Sequence, residues 1–134
     1  MSEERLRERV GCYRVTRVLI VDDEPSIRQV VSEVLEAQGF YVETAIHGQD
    51  ALARMRANEP DVIVTDLMMP VMDGWAFIRE CRLVSIRELI PIVVMSAHYQ
   101  LAESVLDCDV QGFVGKPFEI DVLVSAVERL APPR

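Results

Sequence analysis

The feature that most constrains the fold of this chain is a set of short, unbroken apolar runs rich in β-branched residues. Residues 18–21, 62–64 and 92–95 form such runs. Runs of this kind are typical of strands that are buried on both faces, as in a parallel sheet. Two further strands, less uniform in composition, are predicted at residues 40–45 and 112–114. The sequence therefore predicts five strands.

Segments with helical periodicity lie between these strands. Pro25 stands where a helix N-terminus tolerates proline, and Gly39 provides the expected end of the first helix. One apolar face is predicted between them from the spacing of Ile27, Val30, Val31, Val34 and Leu35. Asp73 is the expected N-cap of the third helix, whose inward side carries Phe77, Ile78 and Cys81. The other helices are predicted at residues 49–58, 100–106 and 118–130.

Five consecutive β–α units imply an α/β fold in which helices cover both faces of a parallel sheet. A length of 134 residues fits a single domain, and 50% hydrophobic residues suffice for a full core. Sites in such sheets form at the carboxyl ends of the strands. The functional residues are therefore expected at that edge.

Charge and composition exclude several kinds of function. The net charge of −8 argues against nucleic acid or an anionic membrane as a direct partner. No apolar run approaches the ~20 residues of a membrane helix, and the charged start is unlike a secretory signal. Cys12, Cys81 and Cys108 form no metal-binding spacing with the histidines and are expected to be reduced thiols. We expect a cytoplasmic protein.

Polar side chains stand at the carboxyl ends of four of the five predicted strands. Asp22 and Asp23 follow the first strand, Asp66 ends the third, Ser96 ends the fourth and Lys116 ends the fifth. Alone, each has an ordinary interpretation as a helix cap, a turn residue, a loop hydroxyl or a surface charge. Together they predict one site, because the carboxyl ends of parallel strands lie at the same edge of the sheet.

Three carboxylates brought together repel one another unless a cation joins them. Mg²⁺ fits because it accepts a few carboxylates and keeps several waters, whose positions phosphoryl oxygens can take. A carboxylate can attack phosphorus to form an acyl phosphate, while a lysine and a hydroxyl contact the transferred group. Phosphoryl transfer needs mainly positioning and charge neutralisation, so this small set is sufficient.

The motifs that carry these residues resemble the receiver domain of two-component response regulators. The matching segments are residues 18–25, 62–74, 91–97 and 112–118, and the resemblance extends over residues 16–130. It implies a flavodoxin-like, doubly wound five-stranded parallel sheet of strand order 2-1-3-4-5. We expect an N-terminal extension at residues 1–15 that is mobile, a receiver domain at residues 16–131 and a C-terminal tail at residues 132–134.

The resemblance also implies a role for each site residue. Asp66 is expected to be the phosphoryl acceptor. Asp22 and Asp23, together with Asp66 and the backbone carbonyl of Met68, are expected to place Mg²⁺. Three further residues are expected to flank the site: Met69, His98 and Pro117.

Four residues are expected to contact the phosphoryl group or to respond to it. Lys116 is expected to contact the group, and the Ser96 hydroxyl to move toward it. Ala97 provides a small residue that leaves room, and Phe113 occupies the aromatic switch position. The Lys116–Pro117 bond is expected to be cis.

The implied activity is phosphotransfer from a phosphohistidine on a sensor histidine kinase or histidine phosphotransfer protein to the aspartate. The acyl phosphate then hydrolyses, so the chain catalyses only its own phosphorylation and dephosphorylation. Phosphorylation shifts an equilibrium between two states of one face of the domain. That face is formed by the fourth predicted helix (residues 100–106), the fifth strand and the fifth predicted helix (residues 118–130). That face is also a candidate homodimer surface, and any downstream partner or output domain lies outside this chain.

Two departures and two alternatives stay open. Residues 96–116 form a shorter segment than is usual, which puts the output face in doubt, and the N-terminal extension has no assigned role. A Mg²⁺-dependent phosphatase with an aspartyl intermediate is disfavoured because no Asp-x-Asp pair follows the first strand. A phosphorylation-independent interaction module is the other alternative.

Overall fold

The computed structural model describes residues 15–84, 90–97 and 110–132 of the chain. Its five strands are β1 (Arg17–Val21), β2 (Tyr41–Ala45), β3 (Val62–Asp66), β4 (Ile92–Ser96) and β5 (Gly112–Gly115). Its helices are α1 (Pro25–Ala37), α2 (Gly48–Ala57), α3 (Gly74–Val84) and α4 (Ile120–Leu130). The helix predicted at residues 100–106, the N-terminal extension at residues 1–15 apart from its last residue, and His98 lie outside the described residues.

The strands form one parallel sheet in the order β2-β1-β3-β4-β5. The predicted α/β fold and its strand order are confirmed. All residues of β3 and β4 are buried, which explains why these strands read as unbroken apolar runs. Among the described helices, none is long and apolar enough to cross a lipid bilayer.

The sheet separates two apolar layers, as strand alternation requires. Leu19 and Val21 of β1 face one layer, which α2 and α3 cover with Leu52 and Phe77. The intervening residues of β1 face the other layer, where α1 and α4 contribute Val31, Leu35, Leu123 and Val127. The site edge therefore lies between two packed layers that fix each strand in position.

The helix boundaries follow local chemistry. Gly39 has a φ of 95°, a left-handed conformation that glycine adopts easily, and it follows the end of α1 as predicted. The Asp73 carboxylate accepts the backbone N–H of Ala76 at 2.9 Å, which confirms it as the cap of α3. Val30 departs from the predicted apolar face of α1, because its side chain is exposed while Val31 and Leu35 are buried.

The last helix carries an apolar surface that is wider than its core contact. Leu123 and Val127 of α4 are fully buried, whereas Ile120 and Val122 are about half exposed. A groove with a volume near 620 Å³ runs between α4 and β5. The helix thus packs on the sheet with one stripe and leaves part of its apolar surface uncovered among the described residues.

Replacing Ile63 by alanine tests the importance of the central strand. Ile63 of β3 is 0% exposed, so Ile63→Ala should lower the free energy of unfolding by about 2–5 kcal/mol in urea denaturation. Leu83→Ala is the control, because Leu83 is 78% exposed on α3, and its effect should stay within about 0.5 kcal/mol. Equal effects of the two substitutions would contradict the assigned core.

Candidate functional site

The three predicted carboxylates meet at the carboxyl ends of β1 and β3. Val21 pairs with Thr65 across these adjacent strands, so Asp22 and Asp66 come next to each other at the sheet edge. Carboxylate oxygens of Asp22, Asp23 and Asp66 all lie within 4.8 Å of one another. Asp22 and Asp66 are buried and Asp23 is exposed, so the cluster opens to solvent on one side.

Lys116, which directly follows β5, reaches across the sheet edge to this cluster. Its Nζ donates to Asp22 Oδ2 at 2.7 Å and to Asp66 Oδ2 at 3.1 Å. The Lys116 backbone N–H donates to the Ser96 carbonyl at 2.8 Å. This bond holds the backbone of Lys116 against the end of β4. One ammonium group therefore joins the carboxylates at the carboxyl ends of β1 and β3.

Backbone groups orient the two buried carboxylates. The Glu24 N–H donates to Asp22 Oδ1 at 2.9 Å, and the Leu67 N–H donates to Asp66 Oδ1 at 2.7 Å. The Arg28 guanidinium on α1 donates to the Asp22 carbonyl at 2.7 Å. Each buried carboxylate therefore has one oxygen facing a backbone amide and the other facing Lys116. Sequence reasoning missed Arg28, because a contact with a backbone carbonyl leaves no pattern in residue identities.

Burial and neighbouring charges shift the pKa values of Asp66 and Lys116. Burial raises the pKa of the Asp66 carboxyl, the positive charge of Lys116 lowers it, and the negative charge of Asp22 raises it. The net result is a raised pKa for Asp66. Burial alone would lower the pKa of the Lys116 ammonium, but hydrogen bonding and attraction from Asp22, with those from Asp66, raise it overall. Lys116 therefore stays positively charged in contact with the cluster.

Ser96 and Phe113 lie on the sheet face that α2 and α3 cover. Ser96 ends β4 two residues after Val94, and Val94 pairs with Phe113 of β5. Ser96 is buried, while Phe113 is partly buried and packs against the same apolar layer as Val94. The hydroxyl and the ring are therefore near neighbours on one face of adjacent strands. Ala97, the next residue, is exposed.

The loop after β3 returns closely on itself. The Gly74 N–H donates to the Leu67 carbonyl at 2.9 Å, and a Cβ at Gly74 would lie 2.3 Å from the Asp66 carbonyl oxygen. Only glycine fits so close an approach. Within the loop Met68 is exposed, whereas Met69 packs against the apolar layer of α2 and α3.

The Lys116–Pro117 bond is cis, as expected, and Pro117 is exposed beside the site. Apart from Phe113, which lies within β5 opposite Val94, the predicted site residues in the described part of the chain lie at or next to one edge of the sheet. The roles of these residues remain predictions.

The donor set fits a hard divalent cation. All three side chains offer carboxylate oxygens, the ligands that Mg²⁺ prefers, and the exposed side of the cluster admits bound water. Lys116 occupies one oxygen each of Asp22 and Asp66, and a carboxylate oxygen has further lone pairs to offer. The residues of this cluster that would hold the ion are the three aspartates.

Comparison with known proteins agrees with this geometry. The sequence model of the family described as response regulator receiver domain matches residues 18–128. The regulatory protein AtoC of Escherichia coli is 36% identical over 117 residues, which are 86% of this chain and 25% of AtoC. Response regulator MprA of Mycolicibacterium vanbaalenii is 34% identical over 85% of this chain and 49% of its own length. The chain thus spans a quarter to a half of these curated relatives.

The fold has equally clear relatives among solved structures. The chemotaxis protein CheY4 of Vibrio cholerae superposes with a TM-score of 0.81 at 35% identity, over 87% of this chain and 98% of CheY4. The parallel sheet of order β2-β1-β3-β4-β5, the acidic pocket at its carboxyl edge and the family match together identify a receiver domain, which is a signalling switch. The chain belongs to the response regulator receiver domain family.

Replacing Lys116 by methionine tests the charge balance of the site. Lys116→Met leaves Asp22 and Asp66 buried without their cation, so the free energy of unfolding should fall by about 3 kcal/mol in Mg²⁺-free urea denaturation. Adding Asp66→Asn to Lys116→Met should recover part of this loss, because it removes one of the repelling charges. Arg129→Met, on the exposed side of α4, is the control. Unchanged stability of Lys116→Met would contradict the assigned ion pairs.

Proposed function

We propose that Asp66 accepts a phosphoryl group from a phosphohistidine on a sensor histidine kinase or histidine phosphotransfer protein. The reaction depends on Mg²⁺, and the acyl phosphate changes partner binding. The observation that carries this proposal is the contact of one ammonium group, Lys116 Nζ, with both Asp22 Oδ2 and Asp66 Oδ2 in an acidic cluster that opens to solvent. Nucleophile, charge-compensating cation and metal-ligating oxygens therefore share one pocket.

Asp66 is the nucleophile in this account. A carboxylate oxygen of Asp66 attacks phosphorus, an acyl phosphate bond forms, and the P–N bond of the donor breaks with its electron pair returning to the imidazole. The Leu67 N–H, 2.7 Å from Oδ1, holds the carboxylate in a fixed orientation. Hydrolysis of the acyl phosphate later restores the free carboxylate. The chain catalyses only these two steps on itself and acts on no separate substrate.

Lys116 is the mobile charge of the site. In the described state it pairs with Asp22 and Asp66, and after transfer it turns to a phosphoryl oxygen. Burial alone would lower the pKa of Lys116, but the Asp22 and Asp66 carboxylates raise it in the described state, so Lys116 enters the reaction positively charged. When bound, Mg²⁺ supplies further neutralisation of the transferring group, with Asp22, Asp23, Asp66 and the Met68 carbonyl as ligands. The regulator TrrA of Thermotoga maritima (28% identity, TM-score 0.79, 87% of this chain and 99% of TrrA) was solved in complex with Mg²⁺-BeF, which supports this assignment.

Ser96 and Phe113 transmit the change. The Ser96 hydroxyl turns toward the phosphoryl group, and Ala97 leaves room for it because its side chain is a single methyl. Phe113 lies on the same sheet face and is only partly buried, so its ring can follow the hydroxyl inward. The two states then differ at β5 and at the neighbouring surface of α4.

The partners follow from this surface and from the charge of the chain. The half-exposed apolar residues Ile120 and Val122 of α4 suit a downstream protein, an output domain or a second copy of this chain. A net charge of −8 disfavours direct contact with nucleic acid or an anionic membrane. We place the protein in the cytoplasm, where the kinase domains that carry phosphohistidine act. Met69 and Pro117 flank the site and shape access to it.

Acetyl phosphate tests the acceptor. With Mg²⁺, wild-type chain should gain one phosphoryl group in intact-mass measurements, whereas Asp66→Ala should gain none. Asp121→Ala, an exposed aspartate on α4, is the matched control and should be modified like wild type. An unchanged yield in Asp66→Ala would move the acceptor elsewhere. Multiple-turnover release of phosphate from phosphomonoesters would favour the phosphatase alternative instead.

Phosphotransfer profiling tests the donor. Each sensor kinase of the source organism is phosphorylated and mixed with the wild-type chain, and the transfer rate is followed. One kinase or phosphotransfer protein should transfer much faster than the others, and Asp66→Ala should accept from none. Efficient labelling by acetyl phosphate with no transfer from any phosphohistidine donor would contradict the proposed partner.

A further inference from the structure

The loop between β3 and α3 contains a strained residue. Val71 has a φ of 68°, a conformation that β-branched residues rarely adopt. The Met72 N–H donates to the Pro70 carbonyl at 2.7 Å, so Val71 is the centre of a three-residue turn. Its side chain is 74% exposed and contributes little packing that could hold this conformation. Such strain persists only where neighbouring contacts impose it.

Met72 makes the contacts that can impose it. The Met72 carbonyl accepts the N–H of Gly48, the first residue of α2, at 3.3 Å. The Met72 side chain is partly buried against the apolar layer that contains Phe77. The first contact joins the end of the strained turn to α2, and the second joins it to the apolar layer beneath α2 and α3.

The absence of a side chain at Gly48 allows this contact. A Cβ at Gly48 would lie 2.9 Å from Met72 Cγ and 2.9 Å from Phe77 Cβ, closer than real Cβ atoms come to other atoms. The N-terminus of α2 can approach the loop this closely because residue 48 lacks a side chain. His47 fixes that terminus, since its ring Nδ1 accepts the Asp50 N–H at 3.1 Å.

The loop needs this support in its middle. It is fixed at its start by the Leu67 N–H on Asp66 Oδ1 and at its end by the Gly74 N–H on the Leu67 carbonyl. Met68 lies between these points and is largely exposed. The Met68 N–H lies 3.4 Å from Asp66 Oδ1, and Met69 packs against the apolar layer. The Gly48–Met72 contact is a further attachment, and it restricts the path of the chain between Met69 and Gly74.

We propose that Gly48 and Met72 are positioning residues for the metal and phosphoryl site: their contact holds the strained turn at Val71 and thereby the carbonyl of Met68. The inference rests on the proposed function, which makes that carbonyl a ligand of Mg²⁺. Neither residue touches the ion. They act through the loop, as outer partners of metal ligands do.

Mg²⁺ titration of Gly48→Ala tests the inference in the full chain. Binding is followed by the emission of Trp75, the single tryptophan, and independently by titration calorimetry, under conditions where unfolding curves show the variant to be folded. The Kd for Mg²⁺ should rise about ten-fold, the lower end of what outer partners contribute. Met72→Ala, which removes the side-chain part of the contact without adding atoms and keeps the backbone hydrogen bond, should also raise the Kd. The double variant should raise it by less than the product of the single effects, because both changes break one contact.

Ala53→Gly is the matched control. Ala53 is exposed in the middle of α2, so Ala53→Gly weakens the same helix without touching the loop. It should lower the unfolding midpoint and leave the Kd for Mg²⁺ unchanged. An equal rise in Kd for Ala53→Gly and Gly48→Ala would mean that helix stability alone matters, and would overturn the inference.

The remaining outcomes distinguish a failure of the positioning role from a failure of the proposed function. A wild-type chain that binds Mg²⁺, with unchanged Kd in both Gly48→Ala and Met72→Ala, overturns the positioning role and leaves the proposed function standing. A wild-type chain with no saturable response to Mg²⁺ overturns both. Multiplicative effects in the double variant would show two independent contacts and would likewise contradict the inference.

Discussion

The attraction between the Lys116 ammonium and the carboxylates of Asp22 and Asp66 is the interaction on which the site depends. Three carboxylates within 4.8 Å repel one another, and two of them are buried, where repulsion is least screened. Lys116 offsets this with contacts of 2.7 and 3.1 Å. It is the only lysine in the sequence, and every other basic side chain apart from the histidines is arginine. A compact charge on a flexible stem suits a group that must exchange one oxygen partner for another.

The parallel sheet makes this interaction possible. In the sheet β1 and β3 are neighbours, and β5 lies two strands from β3. The residues at the carboxyl ends of these strands therefore converge on one edge, although Lys116 is 94 positions from Asp22 in the chain. The apolar layers on both faces of the sheet fix the strands in position. The fold can therefore tolerate a cluster of carboxylates that would destabilise a less tightly packed protein. The stability of the core offsets the repulsion within the cluster of like charges. A change of charge at Asp66 therefore alters the electrostatic interactions among all the groups at this edge of the sheet.

Much of this arrangement could be predicted from the sequence. Unbroken apolar runs indicate burial on both faces, and polar residues at their ends indicate the sheet edge, so the strands and the clustering of Asp22 and Asp66 could be predicted from residue patterns. The strand order came from the resemblance to receiver domains. Helix bounds were less certain: α2 begins at Gly48, one residue before the predicted start, because the ring of His47 replaces a usual capping side chain. The strain at Val71, the Gly48–Met72 contact and the Arg28 bond to a backbone carbonyl could not be predicted, since they depend on distances between backbones that residue identities do not encode.

Chemical trapping of the phosphorylated residue tests the central claim most directly. Borohydride reduces an aspartyl phosphate to homoserine, so a chain phosphorylated by a phosphohistidine donor in Mg²⁺ can be reduced, digested and sequenced by mass spectrometry. The account predicts homoserine at position 66 and unmodified aspartate at positions 22 and 23, with no trapped product when Mg²⁺ is chelated. Homoserine at another position, a phosphoryl group on a serine or histidine of this chain, or equal trapping without Mg²⁺ would contradict it.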